Sequence, residues 1–222
     1  MSQELEAMLL KIKKLLPSIH GWCSFEKATA LVKTIVQNRA SLCVEIGTFG
    51  GSSLVPQALA LQHNGSGKIY GIDPWSTDAA LEEMQKAENV EWWSKVNLEQ
   101  IYKHCQRHVA MLQLQPYVQL LRDKAENVVD TFADGSIDLL HIDGNHSEAL
   151  SYKDAVLYLP KVAKGGIVFF DDIHWNDSDE GYTTQRAIMH MLEHCTRLEL
   201  VDDCMIMQKN KRPKLAVVLR HN

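Results

Sequence analysis

The sequence predicts a doubly wound α/β fold with a mostly parallel, seven-stranded sheet, helices on both faces and an antiparallel C-terminal strand. Three observations predict it. Short apolar runs alternate with helical patterns at the spacing of βα units, and the runs end one after another in glycine or a carboxylate. The chain is 222 residues long, 45% hydrophobic and 23% charged, which suits one α/β domain better than two small ones.

The elements follow in order. Leu5, Met8, Leu9, Ile12, Leu15 and Leu16 recur at spacings of three and four until Pro17, which describes an amphipathic helix. Its residues suit a cap on the domain, a cover over a site or a contact with another subunit. A second helix, Phe25 to Asn38, completes an N-terminal helical cap over 1–38 and leads into the first core strand, "SLCVEIG". "GGSSLVPQALALQ" reads as a helix capped by Ser52 or Ser53, with Pro56 tolerated in its first turn. "KIYGIDPW" is the second strand, and a strand–helix–strand order at this spacing implies a right-handed parallel crossover.

Residues 76–113 interrupt this rhythm with a polar helical insertion around Trp92 and Trp93, a candidate for part of a substrate wall. Three βα steps follow: "YVQLLRD" with "AENVVDTF", "IDLLHIDG" with "SEALSYKDAVLYLPKV", and "GGIVFFDD" with "TTQRAIMHMLEH". "LELVDDCMIMQK" and "KLAVVLRH", separated by "NKRP", read as an antiparallel pair that finishes the sheet. No repeat, low-complexity tract or linker divides 1–222.

A net charge of −5 and scattered Lys and Arg argue against a nucleic-acid partner. Five cysteines without a C-x-x-C pair suggest neither a disulfide framework nor a zinc site, so a reducing cytoplasm is expected. No 18-residue apolar run exists, and charges among the N-terminal leucines are unlike a signal peptide. No membrane partner is expected.

In doubly wound sheets the ligand crevice lies beyond the carboxyl ends of the strands. Glu45 and Gly47, Asp73, Asp123, Asp143, and Asp171 with Asp172 all fall at such ends. Helix capping explains one such carboxylate more readily than five converging strands. In "EIGTFGGSS", Gly47 stands where backbone approaches a ligand, and Gly50 and Gly51 permit positive φ or close packing. G-x-G-x-x-G is absent, so a dinucleotide is disfavoured. Asp73, ending the second strand, is placed to accept two hydrogen bonds from a ribose diol, which points to an adenosine-containing ligand.

"VEIGTFGGSS", "YGIDPW" and "LLHIDGNHSEALSYKDAVLYLPKVAKGGIVFFDD" resemble the class I S-adenosylmethionine-dependent methyltransferases, with their Rossmann-like sheet. Within them the chain is most similar to the metal-dependent O-methyltransferases of macrolide and aminocoumarin sugars, and more distantly to catechol O-methyltransferase. The likeness covers about residues 40 to 175. It implies that Glu45 helps hold the methionine amino group, that Gly47 passes under the cofactor with Gly51 and Ser52 nearby, and that Asp73 binds the ribose. Asp123, Lys124 and Ala125 would lie by the adenine, with Trp75 and Asp143 as further cofactor contacts.

The same resemblance makes Asp143, Asp171 and Asp172 ligands of Mg²⁺ or Mn²⁺, hard cations that prefer oxygen donors. A bound dication lowers an acceptor hydroxyl's pKa and fixes its direction toward the sulfonium. His146, three residues after Asp143, stands where the sugar enzymes place a general-base histidine, and an imidazole titrating near 6.5 suits that task. His141 is expected to be structural, turned from Asp143 by strand alternation if the strand is regular, and His174 is a weaker candidate for substrate contact or a second base. Asp177, Asp179 and Glu180 with Gly181 read as a solvated loop that, as the link after the acidic pair, could also gate the site. The acceptor is a small hydroxylated molecule, a sugar, catechol or polyketide-like diol, and a homo-oligomer is expected. Alternatives are a metal-independent methyltransferase of the same fold and a nicotinamide oxidoreductase.

Overall fold

Each helical stripe identified above closes a hydrophobic layer against a strand layer. The structure, a computed structural model, describes residues 2–177 and 181–211. In α1 (Gln3–Leu15) the Ser2 hydroxyl accepts from the Leu5 N–H at 3.2 Å, acidic residues fill the first turn, and Lys13 and Lys14 fill the last. That distribution complements the helix dipole. Leu5, Leu9 and Ile12 then bury one stripe. α2 (Phe25–Asn38) is capped by Ser24, which accepts from the Lys27 N–H at 2.9 Å.

β1 (Leu42–Ile46) leads to α3 (Leu54–Asn64), in which every residue from Leu54 to Leu61 is buried. Pro56 sits in its first turn as expected, but Ser53 occupies the cap position without a hydroxyl bond. The Ser52 hydroxyl instead accepts from the Cys23 N–H at 3.3 Å, joining this turn to the segment after α1. β2 (Lys68–Ile72) precedes the insertion, which forms α4 (Thr77–Ala80), α5 (Ala87–Lys95) and α6 (Leu98–Met111). Trp75, Leu98 and Ile101 give this region a small core of its own.

β3 (Val118–Leu121), α7 (Ala125–Val128), β4 (Ile137–Ile142), α8 (Glu148–Tyr158), β5 (Val162–Phe170) and α9 (Gln185–His194) complete the parallel part. β5 begins earlier than its glycines suggest, so Lys161 ends a short 3₁₀ turn and Val162 belongs to the strand. The sheet order is β3-β2-β1-β4-β5-β7-β6, parallel through β5. The antiparallel pair is β6 (Cys195–Val201) with β7 (Cys204–Lys209), and β7 inserts between β5 and β6.

Here the expected hairpin is corrected. Both strands come from "LELVDDCMIMQK" and its flanks, and the turn is Asp202–Asp203, with Asp202 at φ +53. "KLAVVLRH" lies outside the described residues, as do Asp179 and Glu180. No disulfide joins the five cysteines, and no helix among the described residues is long and apolar enough to cross a membrane.

Alternation along β5 shows why both faces need helices. Phe169 points into the layer shared with α1, α2 and α3, while Val168 and Phe170 point into the layer of α7, α8 and α9. Such two-sided burial is the habit of parallel sheets. Phe169 is fully buried, so Phe169→Ala is expected to cost about 3–5 kcal/mol, read as a lower urea midpoint.

Candidate active site

The strand ends are held in line by backbone hydrogen bonds just past the strands. The N–H of Gly47 donates to Ile72 at 2.9 Å, Asp143 to Ile46 at 2.9 Å, Asp171 to Ile142 at 2.9 Å and Asp73 to Leu121 at 3.1 Å. Parallel strands in register therefore deliver Gly47, Asp73, Asp143 and Asp171 to one edge. Above this edge lies a cavity of about 550 Å³. Of the residues proposed from the sequence, Gly47, Ser52, Asp73, Asp123, Ala125, Asp143, His146, Asp171 and Asp172 line it.

Glu45, Gly51 and Trp75 do not. Glu45 is fully buried beneath the cavity, where Oε2 accepts from Gln57 Nε2 at 2.6 Å and from His141 Nδ1 at 3.0 Å. Gly51 backs onto Cys105, whose Sγ would lie 3.1 Å from an added Cβ. Trp75 is buried against Tyr102, with centroids 4.5 Å apart, and its indole N–H donates to the Phe49 carbonyl at 2.8 Å. It locks the loop after β2 and faces away from the cavity.

Gly47 is also required by the backbone beside it. At φ +85 an added Cβ would stand 1.8 Å from the carbonyl oxygen of Asp143. Contact between neighbouring strand ends, in addition to any ligand, therefore demands glycine. Asp73 already accepts from the Phe49 N–H at 2.9 Å and the Trp75 N–H at 2.7 Å, one bond on each oxygen. Each oxygen keeps a lone pair, and burial pushes its pKa up to about 6 against those two bonds. Asp123 is exposed on the rim and is bonded by the Lys124 N–H and by Asn127 Nδ2, both at 2.7 Å.

The acidic pair ending β5 is divided. Asp171 is buried; its Oδ2 meets the Lys27 ammonium and, at 3.4 Å, His141 Nε2, while Oδ1 accepts from the Asp172 N–H at 3.2 Å. Burial would raise this carboxyl, but His141 and Lys27 hold it well below the usual carboxylate range. Burial opposes charge on His141 too, yet hydrogen bonds to Asp171 and Glu45 bring its pKa up to about 10. The imidazolium donates from both nitrogens and joins Glu45 to Asp171.

Alternation does not turn His141 from Asp143. Residues two apart share a face of a strand, and His141 Nε2 lies 4.0 Å from Asp143 Oδ2.

Asp172 takes the left-handed conformation at φ +52, which sends its side chain up into the cavity, and its Oδ2 is 2.9 Å from His146 Nε2. The same nitrogen is 3.9 Å from Asp143 Oδ1, and the His146 ring packs against Trp175 with centroids 4.8 Å apart. Thr183 Oγ1 donates to the His146 carbonyl at 2.5 Å and Thr184 Oγ1 to the Asp172 carbonyl at 3.0 Å, so the start of α9 fixes both backbones. His174 pairs with Asp203 and does not line the cavity.

Asp143 has no side-chain donor within 3.5 Å among the described residues. Burial and the neighbouring Asp171 push its carboxyl well above the usual range. A half-buried carboxylate short of positive charge, beside Asp172 and His146 with ligand atoms within 4.8 Å of one another, fits a hard divalent cation. Asp171 fits less freely, because one oxygen is taken by Lys27 and His141.

The insertion roofs the cavity. Asp177, read above as a solvated loop residue, is buried and accepts from the N–H groups of Gln85 at 2.7 Å and Lys86 at 3.2 Å and from Asn89 Nδ2 at 2.6 Å. Asn145 Nδ2 donates to the Glu82 carbonyl at 2.9 Å from the next strand end.

The sheet order and the crevice at the ends of β1, β2 and β4 are those of the class I methyltransferase fold. Residues 44–173 match the model of a family described as a methyltransferase domain, and the chain belongs to that family. An uncharacterized protein, R132, of Acanthamoeba polyphaga mimivirus is 35% identical over 130 residues, 58% of this chain and 50% of that one. The chain thus spans about half the length of the curated relative it matches. The O-methyltransferase TomG of Streptomyces achromogenes, in complex with SAM, shares the fold at a TM-score of 0.59, with 15% identity over 96% of this chain and 91% of that one. The Podospora anserina methyltransferase PaMTH1, bound to SAH, does so at 0.61, with 14% identity over 92% and 88%.

The sequence missed Lys27, which only the packing of α2 brings under β5. Lys27 and Asp171 have side chains 9% and 4% exposed. Removing one partner of such a pair strands a buried charge. Lys27→Met is therefore expected to cost about 3–5 kcal/mol at neutral pH in chemical denaturation.

Proposed function

We propose that this protein transfers a methyl group from S-adenosylmethionine to a hydroxyl of a small molecule, with a divalent cation assisting. The observation that carries the reading is the placement of His146 Nε2 at 2.9 Å from Asp172 and 3.9 Å from Asp143, inside the cavity that Gly47 and Asp73 also line.

Asp143 and Asp172 would hold the cation, with the free lone pair of Asp171 Oδ1 beside them. A bound Mg²⁺ or Mn²⁺ supplies Lewis acidity that lowers the pKa of an acceptor hydroxyl and aligns its oxygen. The chain's own residues do the rest. Asp73 accepts hydrogen bonds from a ribose diol through the lone pairs left on its two oxygens. His146 is the base for the acceptor's proton, and an acceptor hydroxyl at Nε2 would replace the contact that this nitrogen makes with Asp172 at 2.9 Å. Trp175 keeps water from one face of that imidazole, and Asp177 holds the roof in place.

His146→Gln is expected to lower kcat by about 10²–10⁴-fold while SAH still binds. EDTA, or Asp143→Asn, is expected to abolish turnover, with Mn²⁺ restoring only the chelated wild type. Unchanged turnover in EDTA would leave the metal-independent reading. Asp73 sets a separate pH dependence. Its ionised carboxylate accepts from both ribose hydroxyls, so SAH affinity should fall as pH drops through about 6. Calorimetry on Asp73→Asn should show weaker binding without that inflection.

A further inference from the structure

The cavity is lined by eleven acidic side chains and three lysines, a larger formal excess of negative charge than the formal net −5 of the whole chain. None of the three lysines is available to a ligand's anion. Lys27 is seated on Asp171, Lys124 on Glu82, and Lys153 lies 2.9 Å from Glu126. No arginine lines the cavity among the described residues. Carboxylate, phosphate and sulfate recognition normally uses a free guanidinium or ammonium. This cavity offers an anion no such partner.

Asp154 reinforces the sign. It projects from α8 into the cavity, is 7% exposed, and makes no hydrogen bond or ion pair among the described residues. Burial pushes its pKa up to about 7, with Glu126 adding to the shift, so a cation brought near it would favour its charged form. At the mouth stand Trp22, 66% exposed, and Trp92, 45% exposed, in ring contact with Phe49 and Trp93 at centroid distances of 4.9–5.8 Å. Exposed indole faces beside carboxylates attract a flat apolar surface, and a cation more than an anion. Asp202 and Asp203 extend the acidic lining at the turn between β6 and β7.

We propose that the acceptor is a small hydroxylated molecule with a planar apolar face that carries a positive charge or none, and that carboxylates, phosphate esters and coenzyme A thioesters are excluded by charge. This rests on the methyl-transfer reading and narrows its acceptor. S-Adenosylmethionine and a divalent cation leave the lining negative, so the selection persists in the loaded protein.

The test is calorimetric titration of the full chain, loaded with S-adenosylhomocysteine and Mg²⁺, with dopamine and with 3,4-dihydroxyphenylacetate. These two probes share the ring and the diol and differ in charge. Dopamine is expected to bind at least about tenfold more tightly at low salt, with the gap narrowing in 0.5 M NaCl as screening shortens the field's range. Asp202→Lys, on the exposed turn, is expected to strengthen binding of the acid and weaken that of the amine, with unchanged circular dichroism. Equal or tighter binding of the acid by the wild type overturns the inference while leaving methyl transfer standing. Failure of both probes to bind the SAH-loaded protein also overturns it. Failure to bind SAH overturns the methyl-transfer reading and this inference together.

Discussion

The Lys27–Asp171 ion pair is the interaction on which the rest of this structure depends. The carboxyl ends of β1, β4 and β5 collect Glu45, Asp143, Asp171 and Asp172 around His141 and His146, and crowding carboxylates at a buried site is unfavourable unless positive charge accompanies them. Lys27 from α2 and the imidazolium of His141 supply that charge from below. Of these four carboxylates they leave Asp143 and Asp172 as the partly exposed ones, at 25% and 34%. Anchoring one acid while exposing the others turns an unstable cluster into a layered one, with a neutralised floor and an acidic surface.

That arrangement links fold to chemistry. α2 belongs to the N-terminal helical pair, so the segment covering one face of the sheet also completes the site's electrostatics. On the other face, the two residues that precede α9 hold the backbones of His146 and Asp172 through their threonine hydroxyls. Both helical layers thus converge on a few atoms at the ends of β4 and β5, and the insertion closes over them through Asp177 and Asn145.

Much of this was legible in the sequence. The parallel strands could be read because each is a short apolar run that stops at a glycine or a carboxylate, and the residues lining the crevice followed from those stops. The C-terminal hairpin was misplaced because its turn, Asp202–Asp203, has neither glycine nor proline, whereas "NKRP" further on has a conspicuous breaker. Lys27 was illegible because it stands 144 residues from Asp171, and only tertiary packing brings an amphipathic helix's lysine under a strand end. His141 could have been found from the even spacing that puts it on the face of Asp143. Trp75 was drawn to the ligand by its place beside Asp73, but its indole N–H is spent on a backbone carbonyl.

Phe49, Trp75 and Asp172 all hold left-handed backbone conformations, at φ +46, +44 and +52, at the ends of three different strands around the crevice. L-residues other than glycine adopt that region at a cost of about 1–2 kcal/mol each. Glycine would relieve the cost at every one of these positions and would take away an aromatic wall, a loop lock or a carboxylate. A programme of stabilising this protein by local backbone relaxation would therefore be drawn first to the residues that shape the crevice. Thermal robustness and function compete for the same three positions.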